Sequence, residues 1–362
     1  MNLPEPDALS VDKSIQLTRI IQDKIRAEGS LSFADYMNMV LYYPQLGYYI
    51  SQVAFGDNGD FITAPELSPL FGYTLANYIA TTLPNLPAKT ILEFGAGSGK
   101  LAADILLRLE ALNTLPDAYF ILDLSPRLQA LQKETLAQRC PHLMGRVSWL
   151  TELPEKISGF ILANEVLDAM PVALFEWSQG QLFEKQVDCC EGQFCFVTVP
   201  GSAQISQALS PYVAHFREGY TSEYGEVAVA WLNTLSAHCE QVEILLIDYG
   251  HTDTLYYHPE RTQGTLLCHY RHHAHADPFL WPGLQDITSH VNFSLIQETA
   301  LSLGWKIKRF ETQANFLLEH GLLALAEMTD SVSQYEIAQV LKRWLLPTEM
   351  GEAFKILCLT TT

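Results

Sequence analysis

The stretch "ILEFGAGSGKL" places one carboxylate and three glycines where an apolar strand would turn into a helix. Glu93 follows the apolar run, and Gly95, Gly97 and Gly99 alternate after it. Glycine adopts positive φ readily and lets a ligand approach the backbone, so the spacing predicts a cofactor loop. A dinucleotide loop would need glycine where Lys100 stands, and the carboxylate would repel a pyrophosphate. The pattern favours S-adenosylmethionine, which carries a cationic end, over a dinucleotide; a purely structural turn also fits.

An acidic residue ends the next predicted strand, "AYFILDL". Asp123 can accept hydrogen bonds from both hydroxyls of a ribose, the role of an acid at the second strand of dinucleotide folds. The alternative is that Asp123 caps the helix that begins at Pro126. Taken together with the glycine loop, the first interpretation is favoured, and we expect Asp123 and its neighbour Leu124 to contact the cofactor.

Polar residues also end a third predicted strand, in "GFILANEVLDAMPV". Side chains at the carboxyl ends of parallel strands face the ligand crevice of an open sheet. Asp168 alone could cap a turn, whereas a carboxylate directly after an apolar strand, Glu165, is harder to explain structurally. We therefore predict that Asn164 contacts the cofactor and that Glu165, supported by Asp168, is catalytic.

The stretch "GDFITAPELSPLFG" precedes the glycine loop. Thr63 and Glu66 have the spacing of a helix capping box, with Pro65 in the first turn, which predicts a helix over 65–82. The box leaves Asp60 unexplained.

Strand and helix patterns alternate through most of the chain, which indicates a parallel sheet covered on both faces. Predicted strands lie at 90–96, 118–124, 146–150, 159–165, 243–250, 305–312 and 353–360. Predicted helices lie at 12–28, directly after Ser32, and at 65–82, 99–112, 126–138, 294–303, 313–327 and 333–345.

Two segments interrupt this alternation. Residues 171–240 contain two or three short strands followed by helix, and residues 251–293 form a long connection rich in His and aromatic residues. Connections of that length are usually functional or disordered. The predicted layout is a helical N-terminal region with a cofactor lid (1–88), a first part of the core (89–170), an insertion (171–240), and the rest of the core with a substrate-rim loop at 251–293 (241–362).

The composition restricts the partners. The 362 residues suffice for one large domain with insertions or for two domains, and 41 acidic against 22 basic residues give a net charge of −19. That charge argues against a nucleic-acid partner. It is compatible with a cationic substrate, or it serves solubility alone. No apolar run reaches the length of a membrane span, and the N-terminus resembles neither a signal nor a transit peptide, so we expect a cytoplasmic protein.

Cysteine and histidine suggest no metal. The seven cysteines form no C-x-x-C pair, which predicts unpaired thiols in a reducing compartment, with Cys189 and Cys190 buried or half-buried. The cluster "CHYRHHAHAD" has no common zinc-ligand spacing. We expect it to pack on the sheet or to form a substrate rim with Asp286 and His290.

Six motifs together resemble the MidA-like family, which includes the mitochondrial complex I assembly-factor methyltransferase. They are "GDFITAPELSPLFG", "ILEFGAGSGKL", "ANEVLDAMPV", "GTLLCHYRHH", "DPFLWPGLQDITSHVNF" and "MGEAFKILCL", and the resemblance spans residues 15 to 360. It implies an α/β class I (Rossmann-like) S-adenosylmethionine-dependent methyltransferase fold. Its sheet would have seven mostly parallel strands with an antiparallel last pair, an added N-terminal helical region and an insertion before the fifth strand. Asn292 departs from the aspartate usual in the family.

The resemblance also implies a function. In such a fold the segment before the first strand covers the cofactor, so Asp60, Thr63, Pro65 and Glu66 would line its methionine side. The mitochondrial member methylates a protein arginine, which suggests N-methylation of arginine in a protein partner. The alternatives are a small-molecule methyltransferase whose pocket is closed by 251–293, and a non-catalytic assembly chaperone that retains a cofactor. The oligomeric state is left open.

Overall fold

The computed structural model describes residues 3–51, 63–328 and 334–361. The chain begins with helices and one short strand. Asp7 and Ser32 cap the first two helices by accepting hydrogen bonds from the backbone N–H groups of Ser10 and Asp35. The elements are α1 (Ala8–Glu28), β1 (Leu31–Ser32), α2 (Phe33–Tyr42), α3 (Tyr48–Ser51), α4 (Ala64–Leu67) and α5 (Leu70–Thr82).

The helix predicted over 65–82 is two helices, α4 and α5. Ser68 between them is extended, with φ −167° and ψ 147°, because the ring of Pro69 disfavours a helical conformation in the residue before it. The predicted capping box is also wrong. Thr63 precedes α4 but makes no side-chain capping bond, and the Glu66 carboxylate bonds to the glycine loop instead.

The first half of the core alternates strand and helix. Its elements are β2 (Thr90–Phe94), α6 (Lys100–Ala111), β3 (Ala118–Leu122), α7 (Pro126–Arg139), β4 (Val147–Leu150) and β5 (Ile157–Asn164). Strand β2 pairs in parallel with β3 on one side and with β5 on the other, and β3 pairs in parallel with β4. Ile161 and Leu162 of β5 are both fully buried although they point to opposite faces, as expected for a strand covered by helices on both sides.

The segment from 171 to 240 adds an antiparallel sheet. Its elements are β6 (Ala173–Ser178), β7 (Gln181–Cys190), β8 (Gln193–Pro200), α8 (Ala203–Leu209), β9 (Tyr220–Tyr224) and α9 (Glu226–His238). It contains four strands, one more than the two or three predicted. Strand β7 also pairs with β1, so the N-terminal region and this segment share one sheet.

The prediction of unpaired thiols is wrong at two positions. Cys190 and Cys195 form a disulfide across the β7–β8 turn. The hairpin register places Cys190 opposite Gln193 and Cys195 opposite Asp188, which brings the two cysteine Cα atoms to 5.9 Å. The sequence spacing does not reveal this because the register depends on the turn. The other five cysteines, including Cys189, are free thiols.

The last third of the chain completes the core. Its elements are β10 (Cys239–His251), α10 (Asp253–Tyr256), β11 (Leu267–Tyr270), β12 (His273–His275), β13 (Asp286–Thr288), β14 (Val291–Asn292), α11 (Phe293–Ser302), β15 (Lys306–Thr312), α12 (Gln313–Glu319), α13 (Leu322–Glu327), α14 (Gln334–Leu345), α15 (Met350–Ala353) and β16 (Phe354–Thr360). The long connection 251–293 therefore has structure of its own, a small sheet in the order β12-β11-β13.

The central sheet has the order β15-β16-β10-β5-β2-β3-β4, with β16 antiparallel to β10 and β15. Among the described residues this sheet has eight strands, one more than predicted, because the two-residue strand β14 also pairs in parallel with β10. A strand of two residues leaves no periodic signal in the sequence. The chain runs from β2 outward through β3 and β4 and then returns to β5 on the other side of β2. A crevice is expected at the carboxyl ends of the strands beside such a reversal.

Helices cover both faces of this sheet. One apolar cluster packs α5 and α6 against Ile91 and also contains Trp344, and a second packs α9 and α11 against Leu92 and Phe94. Within the described ranges, no helix combines the length and the apolar character needed to cross a membrane.

Candidate active site

A cavity of about 440 Å³ lies at the carboxyl ends of β2, β3, β4 and β5. Residues that directly follow each of these strands form its walls, and the N-terminal helices and α9 complete it. Its lining consists of Asn38, Tyr42, Tyr49, Ile50, Phe94, Gly95, Gly97, Leu122, Asp123, Leu124, Ser125, Leu128, Glu152, Leu153, Glu165, Val166, Ala169, Met170, Pro171, Val227 and Trp231. None of these described residues is basic, so the described part of the wall offers no cationic side chain to neutralise a phosphate.

The glycine loop after β2 contributes two of its three glycines to the cavity. Gly95 and Gly97 lie on the wall with φ of 60° and 52°, a conformation that glycine adopts without strain. Gly99 also has positive φ but does not line the cavity. A Cβ on Gly99 would come within 2.9 Å of the Gln132 Cα, so this glycine permits the loop to pack against α7.

Glu93 lies beneath the loop and is not on the cavity wall. It is 1% exposed, and its Oε2 accepts a 2.8 Å hydrogen bond from the hydroxyl of Tyr119. Burial raises the pKa of Glu93 to about 7, against the opposing effect of that hydrogen bond. Successive side chains of a strand point to opposite faces, and it is the next residue, Phe94, that faces the cavity. Direct contact of Glu93 with the cofactor stays a prediction.

Asp123 lies on the cavity wall, next to the exposed Leu124. Its Oδ1 accepts a 2.9 Å bond from the backbone N–H of Ser125, and its Oδ2 accepts a 2.7 Å bond from the side chain of Gln132. Burial raises the pKa of Asp123, and these two bonds oppose the shift. The alternative role of Asp123 as a helix cap does not apply, because Ser125 caps α7 through the N–H of Leu128.

The sequence analysis missed Gln132. This fully buried side chain donates from Nε2 to Asp123 and to the Gly97 carbonyl, at 2.7 and 3.1 Å, and accepts from the indole of Trp149 at 3.0 Å. The available signal was a glutamine at an inward position of α7, one turn from Leu128 and one from Leu136. Glu152 and Leu153, which follow β4 and line the cavity, were also missed.

Glu165 lies on the cavity wall in a left-handed conformation, with φ of 53°. Its N–H donates to the Ile247 carbonyl at 2.8 Å, and its Oε1 accepts from the Asn164 side chain at 3.2 Å. Asn164 itself is not on the wall. Burial and the negative charges of Asp168 and Asp286 together raise the pKa of Glu165 to about 8, against the opposing effect of the Asn164 hydrogen bond.

Asp168, Asp248 and Asp286 lie close enough to Glu165 for their charges to interact, and we call these four residues the carboxyl cluster. Burial raises the pKa of Asp168 to about 6. Burial, together with the charges of Asp168 and Glu165, raises the pKa of Asp248 well above its usual range. The buried Oδ1 of Asp168 has no hydrogen-bond partner among the described residues.

The predicted substrate rim lies behind the cavity. Asp286 is 2% exposed at the start of β13, and His290 packs edge-to-face on Tyr249 at 5.1 Å. Burial lowers the pKa of His290 to about 4. Neither residue lines the cavity, and neither does any other residue of 251–293. In this segment Asn292 caps α11 by accepting from the N–H of Leu295. Across the described part of the chain, no group of three or more His, Cys, Asp or Glu side chains could hold a metal ion.

None of the predicted lid residues is seen on the cavity wall. Asp60 lies outside the described residues, and Thr63, Pro65 and Glu66 do not line the cavity. Glu66 instead fastens α4 to the glycine loop, accepting from the Ser98 hydroxyl and from Lys100 Nζ.

Earlier helices form the wall on this side of the cavity. Tyr42 and Tyr49 stack with their ring centroids 5.6 Å apart, and the Tyr42 hydroxyl donates to the Ala169 carbonyl at 2.9 Å. The N-terminal region therefore contributes to the cavity through α2 and α3.

This arrangement suits S-adenosylmethionine. Gly95 and Gly97 have positive φ and let the backbone approach a ligand. The buried carboxylate of Asp123 can accept hydrogen bonds from ribose hydroxyls. The described wall has no basic residue that would bind a pyrophosphate. A parallel sheet with such a site at its reversal point defines an S-adenosylmethionine-dependent methyltransferase.

Comparison with known proteins gives the family. Residues 74–311 match a family described as "Putative S-adenosyl-L-methionine-dependent methyltransferase", and this chain belongs to that family. A solved structure from Burkholderia thailandensis with bound S-adenosyl-homocysteine is 41% identical, with a TM-score of 0.95 over 99% of this chain and 95% of that one. The mitochondrial protein arginine methyltransferase NDUFAF7 of Mus musculus is 28% identical, over 95% of this chain and 84% of that protein. Its Caenorhabditis elegans homologue is 26% identical, over 98% and 88%.

Proposed function

We propose that this protein methylates a guanidinium nitrogen of an arginine side chain in a protein partner. The observation that carries the proposal is the half-buried carboxyl of Glu165 on the wall of the cofactor cavity. A guanidinium is charged at every physiological pH. Its burial beside the cofactor therefore requires a carboxylate partner, and the described wall has no basic side chain to compete for Glu165.

Different residues on this wall bind the cofactor and the acceptor. Gly95, Gly97 and Asp123 hold the cofactor, which supplies an electrophilic methyl group when bound. Glu165 accepts hydrogen bonds from the guanidinium, orients one of its nitrogens, and accepts the proton that this nitrogen releases as it gains the methyl group. Most of the rate enhancement is then proximity and electrostatic preorganisation.

Two further observations support an arginine. The stacked rings of Tyr42 and Tyr49 share the cavity wall with Glu165, and aromatic faces attract planar cations. The relatives from Mus musculus and Caenorhabditis elegans are named protein arginine methyltransferases. The alternative of a small-molecule methyltransferase predicted that residues 251–293 close the pocket. No residue of that segment lies on the cavity wall.

Labelled S-adenosylmethionine and a lysate of the source organism test the proposal. We expect label on one or a few proteins, and methylarginine after acid hydrolysis of those bands. The Gly97→Val protein is the cofactor control and should give no label. Label found only on lysine, on a carboxylate or in the small-molecule fraction would contradict the proposal.

A further inference from the structure

Asp248 makes an unusual set of contacts at the carboxyl end of β10. Its Oδ2 accepts hydrogen bonds from the backbone N–H groups of Leu167 and Asp168, at 3.0 and 3.2 Å. Its Oδ1 accepts a third, at 2.9 Å, from the N–H of Tyr249. The side chain is 1% exposed and does not line the cavity. Asp248 therefore binds the backbone of the turn that follows β5.

That turn needs to be held, because Glu165 within it is left-handed. A positive φ is sparsely populated by residues that carry a Cβ and persists where the surroundings impose it. Contacts from two sides impose it here. The Glu165 N–H is bonded to Ile247 of β10, and the Asp168 carbonyl accepts from the N–H of Ser289 at 3.0 Å. Between these points, Asp248 supplies a side-chain acceptor for the backbone N–H groups of Leu167 and Asp168.

We propose that Asp248 is a positioning residue for methyl transfer. Its carboxylate fixes the turn 165–168 so that the Glu165 side chain faces the cavity in the orientation that a guanidinium requires. The inference rests on the proposed function in one respect, namely that Glu165 binds the acceptor. A carboxylate suits the task because its two oxygens accept from three backbone donors that would otherwise be buried without partners.

Two substitutions of Asp248 and one matched control test this role. Asp248→Ala removes all three acceptor bonds, whereas Asp248→Asn keeps an amide oxygen for Leu167 and Asp168. Glu243→Ala is the control. Glu243 is also a buried carboxyl on β10, bonded to the Tyr78 hydroxyl and to Lys308 Nζ, and it does not line the cavity.

Three measurements are made on each folded protein. Hydrogen exchange of the turn amides is followed with saturating S-adenosylhomocysteine, and labelled methyl transfer to lysate protein, per folded molecule, with saturating S-adenosylmethionine. The affinity for S-adenosylhomocysteine is measured by titrating the ligand-free protein. For Asp248→Ala we expect faster exchange at Leu167 and Asp168, affinity within about threefold of the parent, and transfer lower by about a hundredfold, the scale of a small misplacement. Asp248→Asn should recover transfer to within about tenfold of the parent. Glu243→Ala should lower the melting temperature and leave transfer intact.

Three results would overturn the inference. The first is unchanged exchange of the turn amides in Asp248→Ala, and the second is full transfer by that variant. The third is a loss of transfer in Glu243→Ala equal to that in Asp248→Ala, because removing any buried carboxyl of β10 would then have the same effect. The arginine proposal is judged separately, on the parent protein and on Glu165→Gln. Hydrogen exchange needs no acceptor, so it tests the positioning role even if arginine proves to be the wrong substrate.

Discussion

The side-chain amide of Gln132 donates a 2.7 Å hydrogen bond to the carboxylate of Asp123. The same nitrogen donates to the Gly97 carbonyl at 3.1 Å. One buried side chain of α7 therefore ties the glycine loop after β2 to the acid after β3. These two parts of the predicted cofactor site come from different βα units, and Gln132 is bonded to both.

Replacing Gln132 by Leu should weaken S-adenosylhomocysteine binding by about tenfold or more. The change keeps the approximate volume but removes the donor to Asp123 and leaves the Trp149 indole without its acceptor. A hydrogen bond to a charged group contributes about 1.5–3 kcal/mol. Isothermal titration calorimetry measures the effect. Gln138→Leu, at an exposed position of the same helix, is the control and should bind normally. Unchanged affinity in a folded Gln132→Leu protein would contradict the role of this residue.

Gly97→Val should abolish S-adenosylmethionine binding while the fold survives. Gly97 is left-handed and on the cavity wall, so a branched side chain both strains the loop and occupies ligand space. Gly180→Val separates the two effects. Gly180 also has positive φ, but a Cβ there would have no neighbour within 4 Å, so this variant should lose stability and keep cofactor affinity. Calorimetry on both proteins decides, and normal binding by Gly97→Val would show that the loop does not approach the cofactor.

Glu165→Gln should leave cofactor affinity within about threefold of the parent and lower methyl transfer by about a hundredfold or more. The change preserves shape and removes the charge, so it isolates the electrostatic role proposed for this carboxyl. Melting temperature and labelled transfer are measured on the same preparation. A stable variant with full activity would mean that the acceptor is held by other groups.

The pH dependence of methylation should follow the ionisation of Glu165. Its pKa is raised to about 8, so at neutral pH most of the carboxyl is protonated and cannot pair with a guanidinium. With limiting acceptor, kcat/KM should rise with pH and level off above about pH 8. The residual activity of Glu165→Gln should lack this rise. The charges of Asp168 and Asp286 and the hydrogen bond from Asn164 act on Glu165, and Glu165 in turn raises the pKa of Asp248. The hydroxyls of Tyr42, Tyr49 and Tyr249 lie near Asp168.

The raised pKa of Glu165 affects stability in the opposite direction, because it makes the free energy of unfolding fall as the pH rises. The folded state holds the Glu165 proton up to about pH 8, whereas the unfolded chain releases it near its ordinary pKa of 4.5. The unfolded state therefore binds fewer protons between these values, and stability falls as the pH rises through that window. Urea unfolding at several pH values should show a shallower fall for Glu165→Gln than for the parent. Parallel curves would place the raised pKa on another carboxyl.

The sequence by itself determined the parts of this protein that are local. Apolar runs of strand length alternate with amphipathic helices, and the ends of the observed core strands lie close to the predicted ones, for example Thr90–Phe94 against 90–96. The glycine loop and the acids Asp123 and Glu165 were identified because each follows directly on a strand, and strand ends meet at one edge of a parallel sheet. The break before α5 also has a local cause, the restriction of Ser68 by Pro69, but the predicted helix over 65–82 missed it.

Only the tertiary structure decided which distant residues meet at that edge. Asp248 reaches the turn after β5 because β10 is the neighbour of β5 in the sheet, and Gln132 reaches Gly97 because α7 packs beside the glycine loop. Tyr42 and Tyr49 join the wall through contacts of α2 and α3 that no local pattern encodes. Glu93 does not line the cavity, because successive side chains of β2 point to opposite faces and Phe94 is the one on the cavity side. In each case the deciding quantity is the order, register or facing of elements far apart in the chain, which follows from packing the whole core.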